Sequence, residues 1–146
     1  MTDIELASKL FLVLMRASSS VMKVLEEDIK QYGLNPTEFS VLELLYHKGD
    51  LPIQKIGEKV LLASSSLTYV VDKLEKKAFL ERLPCPTDRR VTFAALTPIS
   101  RAFFSEIFPK HEQALATVMG GLNAQEKDIL IKQLKKMGLY AANLLE

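Results

Sequence analysis

The chain is predicted to be all-α with a small β-wing: a winged helix-turn-helix core flanked by N- and C-terminal dimerisation helices. Three observations carry this expectation. Residues 51–101 read as a short helix, a tight turn and a second helix with a single apolar face. After Lys77 the pattern changes to period two, in two short runs separated by a proline-bearing, arginine-tipped loop. On both sides lie longer segments of helical periodicity, whose starts are marked by capping residues and first-turn prolines.

In chain order, Ile4, Ala7, Phe11, Leu14, Ser18, Val21, Leu25 and Ile29 follow a helical repeat from Asp3 to about Gln31, and Leu6, Leu10 and Val13 widen its apolar surface. A helix apolar over so much of its circumference packs against more than one neighbour. Gly33 ends it. Asn35, Pro36 and Glu38 then supply an N-cap, a first-turn proline and an acid at the third position, close to a capping box. The helix they open carries Phe39, Leu42, Leu45 and Tyr46 and stops at Gly49.

Pro52 suits the start of the next helix, whose stripe is Ile53, Ile56 and Val60, and Leu61, Leu62 and Ala63 are left as the connection. Ser64 is a suitable N-cap for the second helix of the pair. Leu67, Val70, Val71 and Leu74 recur at three- and four-residue spacing and form its buried face. Ser65, Ser66, Thr68, Tyr69, Asp72, Lys73 and Lys76 remain outside. Hydrogen-bonding side chains and cations are what a helix in a major groove needs for base edges and phosphates. An ordinary solvated face would look the same, so the weight falls on what lies beside it.

Beside it is the ribbon. Residues 80–83 and 91–94 are β-compatible, and Pro84 and Pro86 in the intervening loop oppose regular pairing. The tip presents Arg89 and Arg90. Arginine can enter a minor groove and exploit its negative potential, whereas Asp88 is suited to fixing an arginine's direction. Thr97 and Pro98 restart a helix containing Phe103, Ile107 and Phe108, which Pro109 should kink. After Gly120 and Gly121, Asn123 and Glu126 open a last helix in which Leu130, Leu134, Met137, Ala141 and Leu144 alternate by four and three. That seam and the surplus apolar surface of the first helix together suggest a subunit interface.

Composition bounds the function. The length of 146 residues fits one domain, and 48% hydrophobic with 25% charged residues is a folded globular composition. No apolar run approaches the ~20 residues that span a bilayer, so no membrane partner is expected. The N-terminus lacks a basic n-region, and one cysteine forms no internal disulfide; the cytoplasm is the expected compartment. Net charge is only +1, but residues 51–101 hold 9 Lys/Arg against 5 Asp/Glu while residues 1–50 hold 5 against 8. The positive charge thus sits where phosphate binding would need it. His47 and His111 lack ligand-spaced neighbours, no glycine-rich phosphate motif occurs, and serines 18–20 and 64–66 lack a His–acid partner. No catalytic residue, metal or cofactor is expected, and the chain is not read as an enzyme.

The run Asp88-Arg89-Arg90, followed by Leu96-Thr97 and a helix, resembles the D-x-R wing and L-T junction of the MarR (multiple antibiotic resistance regulator) family of bacterial transcription factors. The resemblance covers nearly the whole chain. It implies a single domain over 1–146, with dimerisation helices at 1–31 and 98–146 and the DNA-binding winged helix-turn-helix at 36–97. It makes Arg90 the groove-inserting arginine, and it implies a homodimer that represses a nearby promoter from a pseudo-palindromic operator and releases it on binding a small phenolic or apolar effector. Two positions depart from the pattern. Ala78 stands where a glycine commonly ends the recognition helix, and Ser100 where a glycine commonly follows the L-T junction; a non-glycine in a left-handed cap is strained, so the helix is expected to end differently.

The expected DNA contacts are therefore Ser64, Ser65, Ser66, Thr68, Tyr69, Lys73, Lys76, Asp88, Arg89 and Arg90 on double-stranded DNA. The expected effector pocket lies where the first, second and post-wing helices meet, with Phe11, Met15, Phe39 and Phe103 around one cation, Arg16, and would suit an anionic aromatic ligand. A filled core with Arg16 in solvent is the competing arrangement. Cys85 lies near Arg82, Arg89 and Arg90, which would favour its thiolate, but the thiol sensors of this family carry their cysteine in the first helix; an incidental role is expected. Two other classes compete with a DNA-binding regulator. A winged-helix module for protein–protein contacts would lack salt-dependent duplex affinity, and a helical small-molecule carrier would leave the polar helix face and arginine-tipped wing without a purpose.

Overall fold

The computed structural model describes residues 1–60 and 67–146. The expected connection at 61–63 and the expected cap and contacts Ser64, Ser65 and Ser66 lie outside the described residues.

The described chain runs α1 (Asp3–Lys30), α2 (Pro36–Lys48), β1 (Leu51–Pro52), α3 (Ile53–Lys59), α4 (Leu67–Lys76), β2 (Leu80–Pro84), β3 (Thr92–Leu96), α5 (Pro98–Val118) and α6 (Ala124–Asn143). Helix starts follow their local chemistry. Asn35 and Glu38 form a reciprocal box, Asn35 Oδ1 accepting from the Glu38 N–H at 2.8 Å and Glu38 Oε1 from the Asn35 N–H at 3.0 Å. Asn123 and Glu126 repeat it, and Thr97 caps α5 with Pro98 behind it. Gly49 at φ 83° and Gly33 at φ 75° turn the chain out of α2 and α1.

The ribbon is a three-stranded antiparallel sheet, ordered β1-β3-β2, rather than the two strands expected. The third strand is short: Leu51 pairs with Ala94 and Pro52 with Phe93. Both prolines in the sheet lie on edge strands, Pro52 in β1 and Pro84 in β2, where a missing N–H need not break a ladder. For the same reason β2 continues through Pro84, against the expectation that this proline opens the loop.

The core joins α2 (Phe39, Val41, Leu42, Leu45), α4 (Val70, Val71, Leu74) and the sheet (Leu80, Ala94, Leu96) to Ile56 of α3, Ile29 of α1 and Phe104 and Ile107 of α5. An aromatic seam lies inside it. Phe39 packs at 5.1 Å from Phe104 and 4.4 Å from His111, while Tyr46 packs at 5.1 Å from Phe104. His111 also brings its Nδ1 within 3.5 Å of Asp28, so α5 meets α1 and α2 at one point. Helix α5 continues through Pro109 to Val118 as one element.

The far ends behave differently. Helix α6 has no buried residue, and α1 buries only Leu25 and Ile29, leaving Leu6, Leu10, Phe11 and Val13 more than half exposed. No helix among the described residues is long and apolar enough to cross a membrane.

Candidate nucleic-acid interface

Two polar surfaces stand side by side: the outer face of α4 and the tip of the β2–β3 ribbon. On α4 the apolar face packs inward, with Leu67 half-buried at its edge, which turns Thr68, Tyr69, Asp72 and Lys76 to solvent. Tyr69 is 68% exposed, its ring and hydroxyl both open to solvent on the outer face of α4.

The ribbon is fastened to this helix by Arg82. From β2 its guanidinium donates to Asp72 Oδ1 at 2.6 Å and to Glu75 Oε1 on successive turns of α4. Asp72 is therefore a structural acid and not a free group on the outer face of α4. The hydrogen bond to Asp72, then the Coulombic attraction of Glu75 and Asp72, raise the Arg82 pKa, with partial burial opposing. Arg82 thus links two turns of α4 to β2, beside the core packing of Val71 and Leu74 with Leu80 and Leu96 that sets the spacing of helix and sheet.

At the tip, Asp88 Oδ1 accepts from the Arg90 backbone N–H at 2.9 Å and from its Nε at 3.2 Å, and Oδ2 accepts from Nη2 at 3.3 Å. The Arg90 side chain is nonetheless 89% exposed. The guanidinium is held in direction without being covered, which is the state required of a group that inserts into a narrow groove. Hydrogen bonds from the Arg90 side chain and backbone lower the Asp88 carboxyl pKa. Arg89 is exposed beside it.

Lys73, expected among the DNA contacts, is also within reach of a buried acid. Its Nζ lies 3.8 Å from Glu38 Oε1, and Lys77 Nζ lies 3.0 Å from Oε2 of the same buried carboxylate. Sequence reasoning treats Glu38 as a capping acid only, because the partners that bury its charge are on another helix.

Helix α4 also ends in the way the alanine was expected to prevent. Ala78 takes φ 63°, its N–H bonds the Glu75 carbonyl, and the Phe79 N–H reaches back to the Leu74 carbonyl. These two bonds are the Schellman closure, made with an alanine in the left-handed position.

The thiol at the tip owes its state to other neighbours than expected. A hydrogen bond with the Thr87 hydroxyl, at 3.4 Å, is the largest cause that lowers the Cys85 pKa, the Thr87 backbone N–H comes next, and the Asp88 charge opposes them.

The expected effector residues are not brought together within one chain. Phe11, Met15 and Arg16 are exposed on α1, Phe39 is in the core against Phe104 and His111, and Phe103 stacks on Phe79 at 5.3 Å. An open cleft of about 390 Å³ lies instead between α1, α2 and α3, lined by the apolar Met22, Leu44 and Val60 and by the polar Ser40, Glu43, His47, Lys48 and Lys59.

The model of the MarR family matches residues 34–92, the stretch from α2 to the start of β3. The HTH-type transcriptional regulator MhqR of Bacillus subtilis (strain 168) is 50% identical over 137 residues, covering 94% of each chain. Among solved structures, Bordetella bronchiseptica BpsR, described as regulated in DNA binding by 6-hydroxynicotinic acid, is 26% identical with a TM-score of 0.80, over 89% of this chain and 98% of that one. A mutant MarR from E. coli complexed with operator DNA superposes with a TM-score of 0.81 over 94% and 99%; at 20% identity that likeness is one of fold.

Proposed function

The chain belongs to the MarR family of DNA-binding transcriptional regulators, and from that membership we propose how it works: two copies bind one pseudo-palindromic operator, and a small ligand releases it. As regulators of transcription, such proteins are not enzymes. In this reading residues 1–146 act as one domain. The segment 36–97 reads DNA, and 1–31 with 98–146 hold the dimer.

The observation that carries the reading is the pairing of an exposed polar face on α4 with a wing arginine that Asp88 aims but does not cover. Thr68, Tyr69 and Lys76, together with Ser64, Ser65 and Ser66, would read a major groove, and Arg90, with Arg89 beside it, the adjacent minor groove. A two-fold dimer places such half-sites ~10 bp apart. The exposed apolar stripes of α1 and α6 support the dimer, since a monomer seldom leaves so much contiguous apolar surface in water.

The ligand-responsive part rests on likeness to BpsR and on the cleft between α1, α2 and α3, whose apolar walls and polar groups of both signs, Lys48 and Lys59 with Glu43, suit a small polar aromatic ligand. Phe11, Met15 and Arg16, exposed on α1, remain candidates for an effector site completed by a second subunit, whereas Phe39 is taken up by the core and Phe103 by its stack on Phe79. Repression, more than activation, is the family's usual mode.

The test is selection of bound genomic fragments followed by titration of the recovered duplex at fixed salt. Wild type should show a strong salt slope, and Arg90→Ala should bind more weakly by roughly 1–3 kcal/mol. Unchanged affinity in Arg90→Ala would remove the wing from the interface, and no duplex binding by wild type would favour a protein–protein module.

A further inference from the structure

Glu38 is the one buried acid among the described residues, its side chain 2% exposed in the seam between α2 and α4. Its role at the start of α2 needs no charge. The third position of a capping box must only accept from the cap's N–H, and glutamine does so as well as glutamate. A buried carboxylate is costly unless cations and hydrogen bonds surround it, so the charge at this position calls for a separate account.

The account lies on the opposite helix. Lys77 Nζ donates to Glu38 Oε2 at 3.0 Å and also approaches the Gly33 carbonyl at 3.4 Å, and Lys73 Nζ stands 3.8 Å from Oε1. Lys73 lies on α4 and Lys77, four positions on, just past its last residue. Their side chains are still 40% and 33% exposed, so without the acid they would be able to swing toward a neighbouring polyanion. With Asp72 and Glu75 taken by Arg82, and both lysines turned to Glu38, α4 keeps Lys76 as its exposed cation.

We propose that Glu38 is a specificity-setting positioning residue: it withdraws Lys73 and Lys77 from the DNA backbone and fixes the rotation of α4, so that discrimination falls to the polar face and the wing. The inference rests on α4 being the DNA-reading helix. Its physical basis is that a lysine on a phosphate adds affinity for any sequence, whereas a correctly rotated helix adds affinity for one. Holding lysines back keeps nonspecific binding low in a chain whose net charge is only +1.

The experiment compares the salt dependence of binding to the selected operator and to a scrambled duplex. Glu38→Gln keeps the capping acceptor and removes the charge. It should steepen the slope of log K against log salt by about 0.9 for each lysine released, and lower the operator-to-scrambled ratio several-fold. Adding Lys73→Met to Glu38→Gln should take about 0.9 of that slope away again, while Lys73→Met in the wild-type background should change it far less. An unaltered slope and ratio in folded Glu38→Gln overturns the proposal. So does a loss of about 0.9 in Lys73→Met alone, because Lys73 would then already neutralise a phosphate; this arm decides the matter if Glu38→Gln does not fold. If wild type binds neither duplex, the DNA-reading assignment of α4 itself fails, and the proposal with it.

Discussion

Thr97 Oγ1 donates to the carbonyl oxygen of Ala78 at 2.6 Å, tying the residue that caps α5 to the one non-glycine with positive φ among the described residues. Ser100 continues the arrangement by donating its hydroxyl to the next carbonyl, that of Phe79. The two departures from the family's glycine pattern, Ala78 and Ser100, thus meet at one junction. The hydroxyls of α5's first turn satisfy carbonyls that the strained end of α4 turns outward.

Relief of that strain should be measurable. Ala78→Gly should stabilise the protein by about 1 kcal/mol, since the left-handed position disfavours a Cβ by more than glycine's extra freedom costs the unfolded chain. Urea titration is the measurement, and an unchanged or lower midpoint would show that the junction bears no strain. Thr97→Val, which removes both the cap and the bond to Ala78, should cost about 1–2 kcal/mol.

Protonation should act on the wing through Asp88. Its carboxyl pKa lies below the ordinary aspartate range because Arg90 hydrogen-bonds the charged form. The contact therefore contributes fully above the unfolded-state value and is lost as pH falls through the native value, so acid and not alkali loosens the tip. An NMR titration of Asp88 should show the depressed midpoint, and Arg90→Ala should return it toward the usual value. A midpoint that ignores Arg90→Ala would mean that another group holds Asp88.

Assembly should depend on α6. Leu134 is 40% exposed in the single chain and lies mid-helix in the apolar seam, so Leu134→Glu would bury an unpaired charge at a two-fold interface. Sedimentation at micromolar concentration should find wild type dimeric and this variant dissociated or unfolded. A folded wild-type monomer would refute the obligate dimer.

Cys85 should prove chemically accessible yet dispensable. With Thr87 as the main cause of its lowered pKa, the pH midpoint for iodoacetamide alkylation should lie below that of an ordinary thiol and rise in Thr87→Val. Cys85→Ser should bind operator as wild type does. Release of DNA by mild peroxide that vanishes in Cys85→Ser would make the tip a redox sensor instead.

What the sequence determined by itself is whatever closes within a few residues. Asn35, Thr97 and Asn123 find their partners three positions on, Val70, Val71 and Leu74 share a face because a helix repeats every 3.6 residues, and Asp88 reaches Arg90 inside one turn. Those bonds depend on backbone geometry that each segment carries with it, so the helix order, the wing and its arginine are legible without a fold. Tertiary structure decided what lies across from each element. Leu51 and Pro52 become a strand only because β3, some forty residues later, offers an edge; Phe39 enters the core and not a pocket because α5 brings Phe104 and His111 against it; Arg82 finds Asp72 and Glu75, and Glu38 finds Lys73 and Lys77, only once α4 is packed in place. Long charged side chains choose partners by distance in space, and a helix crossing, unlike a cap, is set by the packing of the whole core.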